Sequence, residues 1–209
     1  MYLFTRSGRF GPGSIRDAMT VTVELTEKVR QETSLDLHAW QATLSPELGT
    51  VTWSAFVDSL EELEASQDKL AVSDSFLELA DRAGPLFAAP LTDGLASVVL
   101  GGRAPDAPTP SYVGVARAVA ANGRLRDALS RGVEIAEAAT RITGVATMFL
   151  VNSTGPFGAV RWTSGYSDIG ELERAEAALS GDESWTALID RAGTAYQEGV
   201  TQSVFRRIV

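Results

Sequence analysis

Residues Gly49 to Gly84 and Gly158 to Gly193 are one stretch written twice, and no other feature restricts the fold as much. The first reads GTVTWSAFVDSLEELEASQDKLAVSDSFLELADRAG and the second GAVRWTSGYSDIGELERAEAALSGDESWTALIDRAG. They align without a gap at an offset of 109, with 13 of 36 pairs identical, among them Trp53/Trp162, Leu63/Leu172, Leu79/Leu188 and the closing Asp-Arg-Ala-Gly. A period this long is too large for a solenoid and suits a duplicated small domain. The 209 residues then divide into two domains of about 100 residues each.

The elements repeat as well. Tyr2 to Ser7 reads as a strand, broken by the glycines and proline of GRFGPGS. Ser14 can cap a helix to about Gln31, with Ile15, Ala18, Met19, Leu25 and Val29 on one stripe. Leu35 to Leu44 and Thr50 to Val57 form a hairpin, followed by a helix from Leu60 broken around Ala71 to Asp74, and a strand from Gly94 to Leu100. The second half gives a strand (Ser111 to Val119), a helix (Leu125 to Ile142), a hairpin (Val145 to Asn152, Ala159 to Tyr166), a broken helix (Ile169 to Ala192) and a strand (Thr201 to Ile208). Residues 1–100 and 111–209 are thus two ferredoxin-like βαββαβ repeats of the α+β class, and the Gly/Pro-rich 101–110 is their linker. Each sheet carries its helices on one face, so the two bare faces are expected to pack sheet to sheet.

Here the pattern Val51-Thr-Trp-x-x-Phe-Val-x-Ser-Leu-Glu-Glu-Leu-Glu-Ala65 resembles the dimeric α/β-barrel superfamily, with its antibiotic-biosynthesis monooxygenase-like and NIPSNAP-like members. The resemblance implies a barrel completed within one chain. It implies activity far less, because such barrels host oxygenases, polyketide cyclases and haem-degrading enzymes. The asparagine, tryptophan and histidine trio of the haem-degrading members cannot be placed here.

Composition removes several function classes. A net charge of −9 argues against a nucleic-acid surface. With no cysteine and one histidine, thiol catalysis, thiolate metal sites and a multi-histidine metal centre are excluded within one chain. No secretory leader or membrane span is visible, so a cytoplasmic protein is the expectation. GRFGPGS lacks the spacing and lysine of a phosphate loop, and no Gly-x-Ser-x-Gly elbow exists.

In a duplicated chain, polar residues present in one half alone are site candidates. Asp36, His38 and Trp40 stand opposite Ala146, Met148 and Leu150, and alternation puts all three on one face of their strand. A tight turn would set Trp53 across from Trp40, and Ala55 across from His38. His38 is the candidate proton shuttle, against the plain alternative of a hydrogen-bonded histidine without chemistry. Arg161, opposite Thr52, is a candidate anion-stabilising residue, or else a solvated strand arginine. Trp53 and Trp162 are substrate walls or core packing, and Tyr166 could offer a hydroxyl.

The expected function is a small-molecule enzyme without metal or organic cofactor. It would cyclise, isomerise or oxygenate a hydrophobic, enolisable, polyketide-like substrate in secondary metabolism. The alternative is a non-catalytic barrel that binds a small ligand or a protein. Pairing of two chains into a homodimer is left open.

Overall fold

The computed structural model describes residues 1–13, 15–102 and 108–209. The proposed cap at Ser14 and the middle of the linker lie outside the described residues. The first repeat contains β1 (Tyr2–Arg9), α1 (Ile15–Glu32), β2 (His38–Ala42), β3 (Thr50–Val57), α2 (Leu60–Ala71), α3 (Asp74–Ala83) and β4 (Thr92–Leu100). The second contains β5 (Tyr112–Val119), α4 (Leu125–Thr143), β6 (Thr147–Asn152), β7 (Ala159–Tyr166), α5 (Ile169–Ser180), α6 (Glu183–Ala192) and β8 (Thr201–Arg207). The eight strands form a closed barrel in the order β1-β3-β2-β8-β5-β7-β6-β4. The chain is α+β, with the expected βαββαβ order in both halves.

Two compact units emerge. The first is Met1–Leu95 with Arg207–Val209, and the second is Ala96–Arg206. In the first, the tail joins the sheet through Ala39, whose N–H donates to Val209 O at 3.0 Å and whose carbonyl accepts from Ile208 N at 2.8 Å. In the second, β4 continues along β6 from the pair Ala96/Asn152. Among the described residues, no helix is long and apolar enough to cross a membrane.

The interrupted helices owe their breaks to fresh caps. Ser73 accepts from Phe76 N–H and opens α3 three residues after Leu70. In the second unit, aspartates cap instead. Asp168 accepts from Glu171 N–H at 2.8 Å and Asp182 from Trp185 N–H at 2.9 Å. The Glu171 N–H bond holds the Asp168 carboxyl below its ordinary pKa, and the Ser184 hydroxyl does most to lower Asp182. A carboxylate depressed in the fold stabilises above its unfolded pKa and loses that contribution as pH falls through the folded value. The first turns of α5 and α6 are therefore expected to fray below about pH 4, while serine-capped α3 does not. Amide exchange at Glu171, Trp185 and Phe76, corrected for intrinsic rates, checks this; equal behaviour of all three would refute it.

One local expectation is corrected. Strand β2 pairs with β3 as His38/Ser54, Ala39/Trp53 and Trp40/Thr52, one residue away from the tight-turn register. The connection spans residues 43–49, turning where Thr50 N–H meets Glu47 O and where Gly49 takes a φ of 86°. A one-residue slip exchanges the faces of a strand. Trp53 thus shares a face with Ala39 and the helices, and Trp40 and His38 lie on the other.

Candidate functional site

In the first unit, a cavity of about 580 Å³ lies between the helix-covered face of the sheet and the helices. The sheet supplies Phe4, Arg6 and Trp53, and Leu37 stands just before β2; α1 supplies Leu25 and Val29. Helices α2 and α3 close it with Leu63, Gln67, Leu70, Phe76 and Ala80, and Phe87 and Leu91 complete the wall. Period-2 and period-3.6 patterning explain the strand and helix members of this set, each the inward residue of its element, while Leu37, Phe87 and Leu91 come from the connections. Gly8 helps to shape one end: a Cβ there would lie 2.3 Å from Leu91 Cδ2 and 2.8 Å from Phe87 Cδ1.

The polar content of this lining is small and specific. Arg6 is gripped by Asp93, Nε to Oδ1 at 2.7 Å and Nη2 to Oδ2 at 2.7 Å. The hydrogen bond to Asp93 raises the guanidinium pKa against the opposing effect of burial. Its carbon centre stands 5.7 Å from the Phe4 ring centroid, within cation–π range. A bidentate pair fixes the plane of the guanidinium and leaves Nη1 without a protein partner among the described residues. Gln67 is the second polar side chain in the wall.

Trp53 presents a hydrocarbon face to the cavity rather than its N–H. Nε1 donates to Thr26 Oγ1 at 3.0 Å; Thr26 in turn donates to Thr22 O, and Thr22 to Ala18 O, each at 2.7 Å. The Phe87 ring lies 6.0 Å away, centroid to centroid.

The other candidates named from sequence lie elsewhere. His38 and Trp40 adjoin each other, rings 6.1 Å apart, on the sheet face away from the cavity. The Arg30 guanidinium donates to Leu37 O at 2.7 Å and to His38 Nδ1 at 3.0 Å, so Nδ1 is the acceptor and the ring proton sits on Nε2. That Nε2 is 3.1 Å from Asp36 Oδ1. Trp40 donates to Ser54 Oγ at 2.8 Å.

In the second unit, Trp162 donates to Gly132 O at 2.8 Å and packs between Phe149 and Tyr196, both 5.5 Å away. Tyr166 covers Gly114 and joins Leu172 and Ala175; burial raises its hydroxyl pKa. Arg161 is buried instead of solvated.

No protein-family model matches the sequence, and no curated protein matches it. Solved structures do. A protein of Fusobacterium nucleatum provisionally described as a monooxygenase superposes with a TM-score of 0.77 at 8% identity, over 100% of this chain and 92% of its own. An anthrone oxidase-like protein gives 0.67 at 12% identity, over 99% and 90%. A Lactobacillus acidophilus protein, also provisionally described as a monooxygenase, gives 0.65 at 5% identity, over 100% and 94%. The chain has the dimeric α/β-barrel fold.

Within this barrel fold the two repeats differ where the cavity forms. Arg6 corresponds to Ala116 and Asp93 to Gln202, so the guanidinium–carboxylate pair exists once. Phe4 corresponds to Gly114, Ala80 to Ile189 and Ala39 to Phe149. In the second unit Phe149 is fully buried against Gly132 and Trp162, and with Tyr196 beyond Trp162 it fills the core with rings.

Arg6 passes the one-sided test applied above to His38; pairing it with Asp93, 87 residues away, is what sequence spacing conceals. The cavity lining, among the described residues, holds no histidine, cysteine, carboxylate or tyrosine side chain. Among the described residues, no group of three or more His, Cys, Asp or Glu could hold a metal ion. These donors do not fit a ligated metal or haem iron in the cavity.

A substitution tests the cavity boundary. Ala80→Ile installs the residue of the second repeat and adds three carbons to the wall. It is expected to leave the fold intact and weaken binding of any ligand in the cavity about 10-fold or more, read by calorimetric titration.

Proposed function

We propose that the chain is an oxygenase-type enzyme that takes a hydrophobic, planar, enolisable substrate of polyketide kind into the cavity of the first unit. The observation that carries this is one oriented guanidinium in a chamber that is otherwise apolar and aromatic except for Gln67. Trp53, Phe4, Phe76 and Phe87 suit a flat ring system, and Arg6 Nη1 suits its carbonyl oxygen. Loss of a proton to water from a carbon conjugated with that carbonyl, directly or through a ring, places negative charge on the oxygen. A fixed cation there stabilises the enolate and lowers the pKa of the C–H bond. The enolate then reduces dioxygen; where the carbon is a CH₂, one oxygen atom ends in the new carbonyl and the other leaves as water. The neighbours described as monooxygenases and as anthrone oxidase-like support this class of reaction.

In this scheme Trp53 keeps its role as a substrate wall. The oxyanion role first assigned to Arg161 passes to Arg6. His38, held by Arg30 and Asp36 on the other sheet face, orders the start of β2. A second function is favoured by the absence of a neutral-pH base from the lining: a carrier that binds the same ligand without converting it.

Anthrone serves as the probe, with oxygen uptake measured beside anaerobic titration. Binding with uptake above the spontaneous rate supports the enzyme, and binding without uptake supports the carrier. No binding of anthrone or of other planar enolisable ketones would overturn both.

A further inference from the structure

In the second unit, β7 turns Arg161 and Thr163 to the face opposite Trp162, away from the helices. Both are over nine-tenths buried, with 9% and 7% of their surfaces exposed. Arg117 of β5 stands directly across from Arg161, a like charge at the neighbouring position, and Leu150 of β6 flanks it on the other side. Val115 and Met148 flank Thr163.

Arg161 makes one hydrogen bond, from Nε to Asn152 Oδ1 at 3.0 Å, and has no carboxylate partner among the described residues. The Thr163 hydroxyl is sealed from solvent without a partner among the described residues. Burial, with help from Arg117, pushes the Arg161 guanidinium down to about 10, so it is still charged at neutral pH. Buried charges in folded proteins are paired, and removing water from a cation beside a second cation is costly unless a negative charge compensates. Among the described residues no side chain supplies that charge to Arg161.

We propose that Arg161 and Thr163 form a binding site for a small monovalent anion, either a halide or the carboxylate of a small acid. Residues two apart on a strand are about 7 Å apart, so an ion between them can accept from an Arg161 Nη and from the Thr163 hydroxyl together. The site is separate from the cavity of the first unit, and its ligand compensates charge without taking part in turnover.

Thermal unfolding of wild type, Arg161→Gln and Thr163→Val in rising sodium chloride, and separately in rising sodium formate, tests this. General salt effects act on all three chains, so the differences report the site. Wild type should gain about 3 °C more than Arg161→Gln at tenfold saturation in at least one salt, with Thr163→Val in between. A shift in chloride identifies a halide site, and a shift in formate alone identifies a carboxylate site. Parallel shifts in all chains with both salts would overturn the proposal.

Should Arg161→Gln fail to fold, the Thr163→Val comparison is joined by wild-type crystals soaked in bromide and in formate. Bromide anomalous signal or formate density between Arg161 and Thr163 supports the site. An empty position after both soaks rules it out.

Discussion

Phe149→Ala is expected to destabilise the protein by about 4 kcal/mol, the largest loss foreseen for a single core residue. Its ring is fully buried, tilted against Trp162 with centroids 5.5 Å apart, and fitted over Gly132, where an added Cβ would lie 2.1 Å from Phe149 Cζ. The reverse change, Gly132→Ala, gains about 1 kcal/mol of helix propensity but forces a fully enclosed ring to move. A net loss of about 2 kcal/mol is expected, lowering Tm by about 6 °C.

The two sites are expected to be coupled, because the first repeat carries the inverse size pattern at the corresponding positions, Thr22 for Gly132 and Ala39 for Phe149. The double change Gly132→Thr/Phe149→Ala should therefore be less damaging than the sum of its parts by about 1 kcal/mol or more. Denaturant unfolding of the four proteins supplies the cycle. Additivity would mean that the ring and the glycine are not the matched pair described above.

Arg6→Gln is expected to reduce turnover of an enolisable substrate about 100-fold while leaving the fold intact. That is the usual size of effect when one preorganised oxyanion donor is lost. The glutamine keeps a polar group of moderate length but removes the charge and the two-pronged grip on Asp93. Asp93→Asn should act through Arg6 and cost less, because the guanidinium remains but is no longer held in one plane. Steady-state kinetics separate the two: Arg6→Gln should depress kcat more than it raises KM. Equal turnover in wild type and Arg6→Gln would remove the oxyanion role.

The fold was legible because the duplication confirmed every strand and helix twice. Pro/Gly punctuation then marked where elements end, while the Ser73 and Asp182 caps emerged only with the structure. Strand register was less legible, since the residue 43–49 connection could be read as a tight turn, and one residue of slip moved Trp40 to the opposite face from Trp53. The cavity was hidden for a different reason. Its difference from the second repeat lies largely in apolar replacements, Ala39 for Phe149 and Ala80 for Ile189, whereas the sequence comparison weighed polar ones. Arg6 was visible as a polar residue without a counterpart, but a lone strand arginine gains meaning only beside Asp93. In sequence Arg161 reads as an anion-stabilising candidate or else a solvated arginine, as arginine mostly is; the fold buries it beside Arg117.

The most direct test of the cavity as the functional site is anaerobic calorimetric titration of anthrone into wild type and Ala80→Ile, with melting curves confirming that both are folded. The expected result is one equivalent bound by wild type and at least 10-fold weaker binding by Ala80→Ile. Equal binding by two folded proteins would place the ligand elsewhere and contradict the assignment of the first unit.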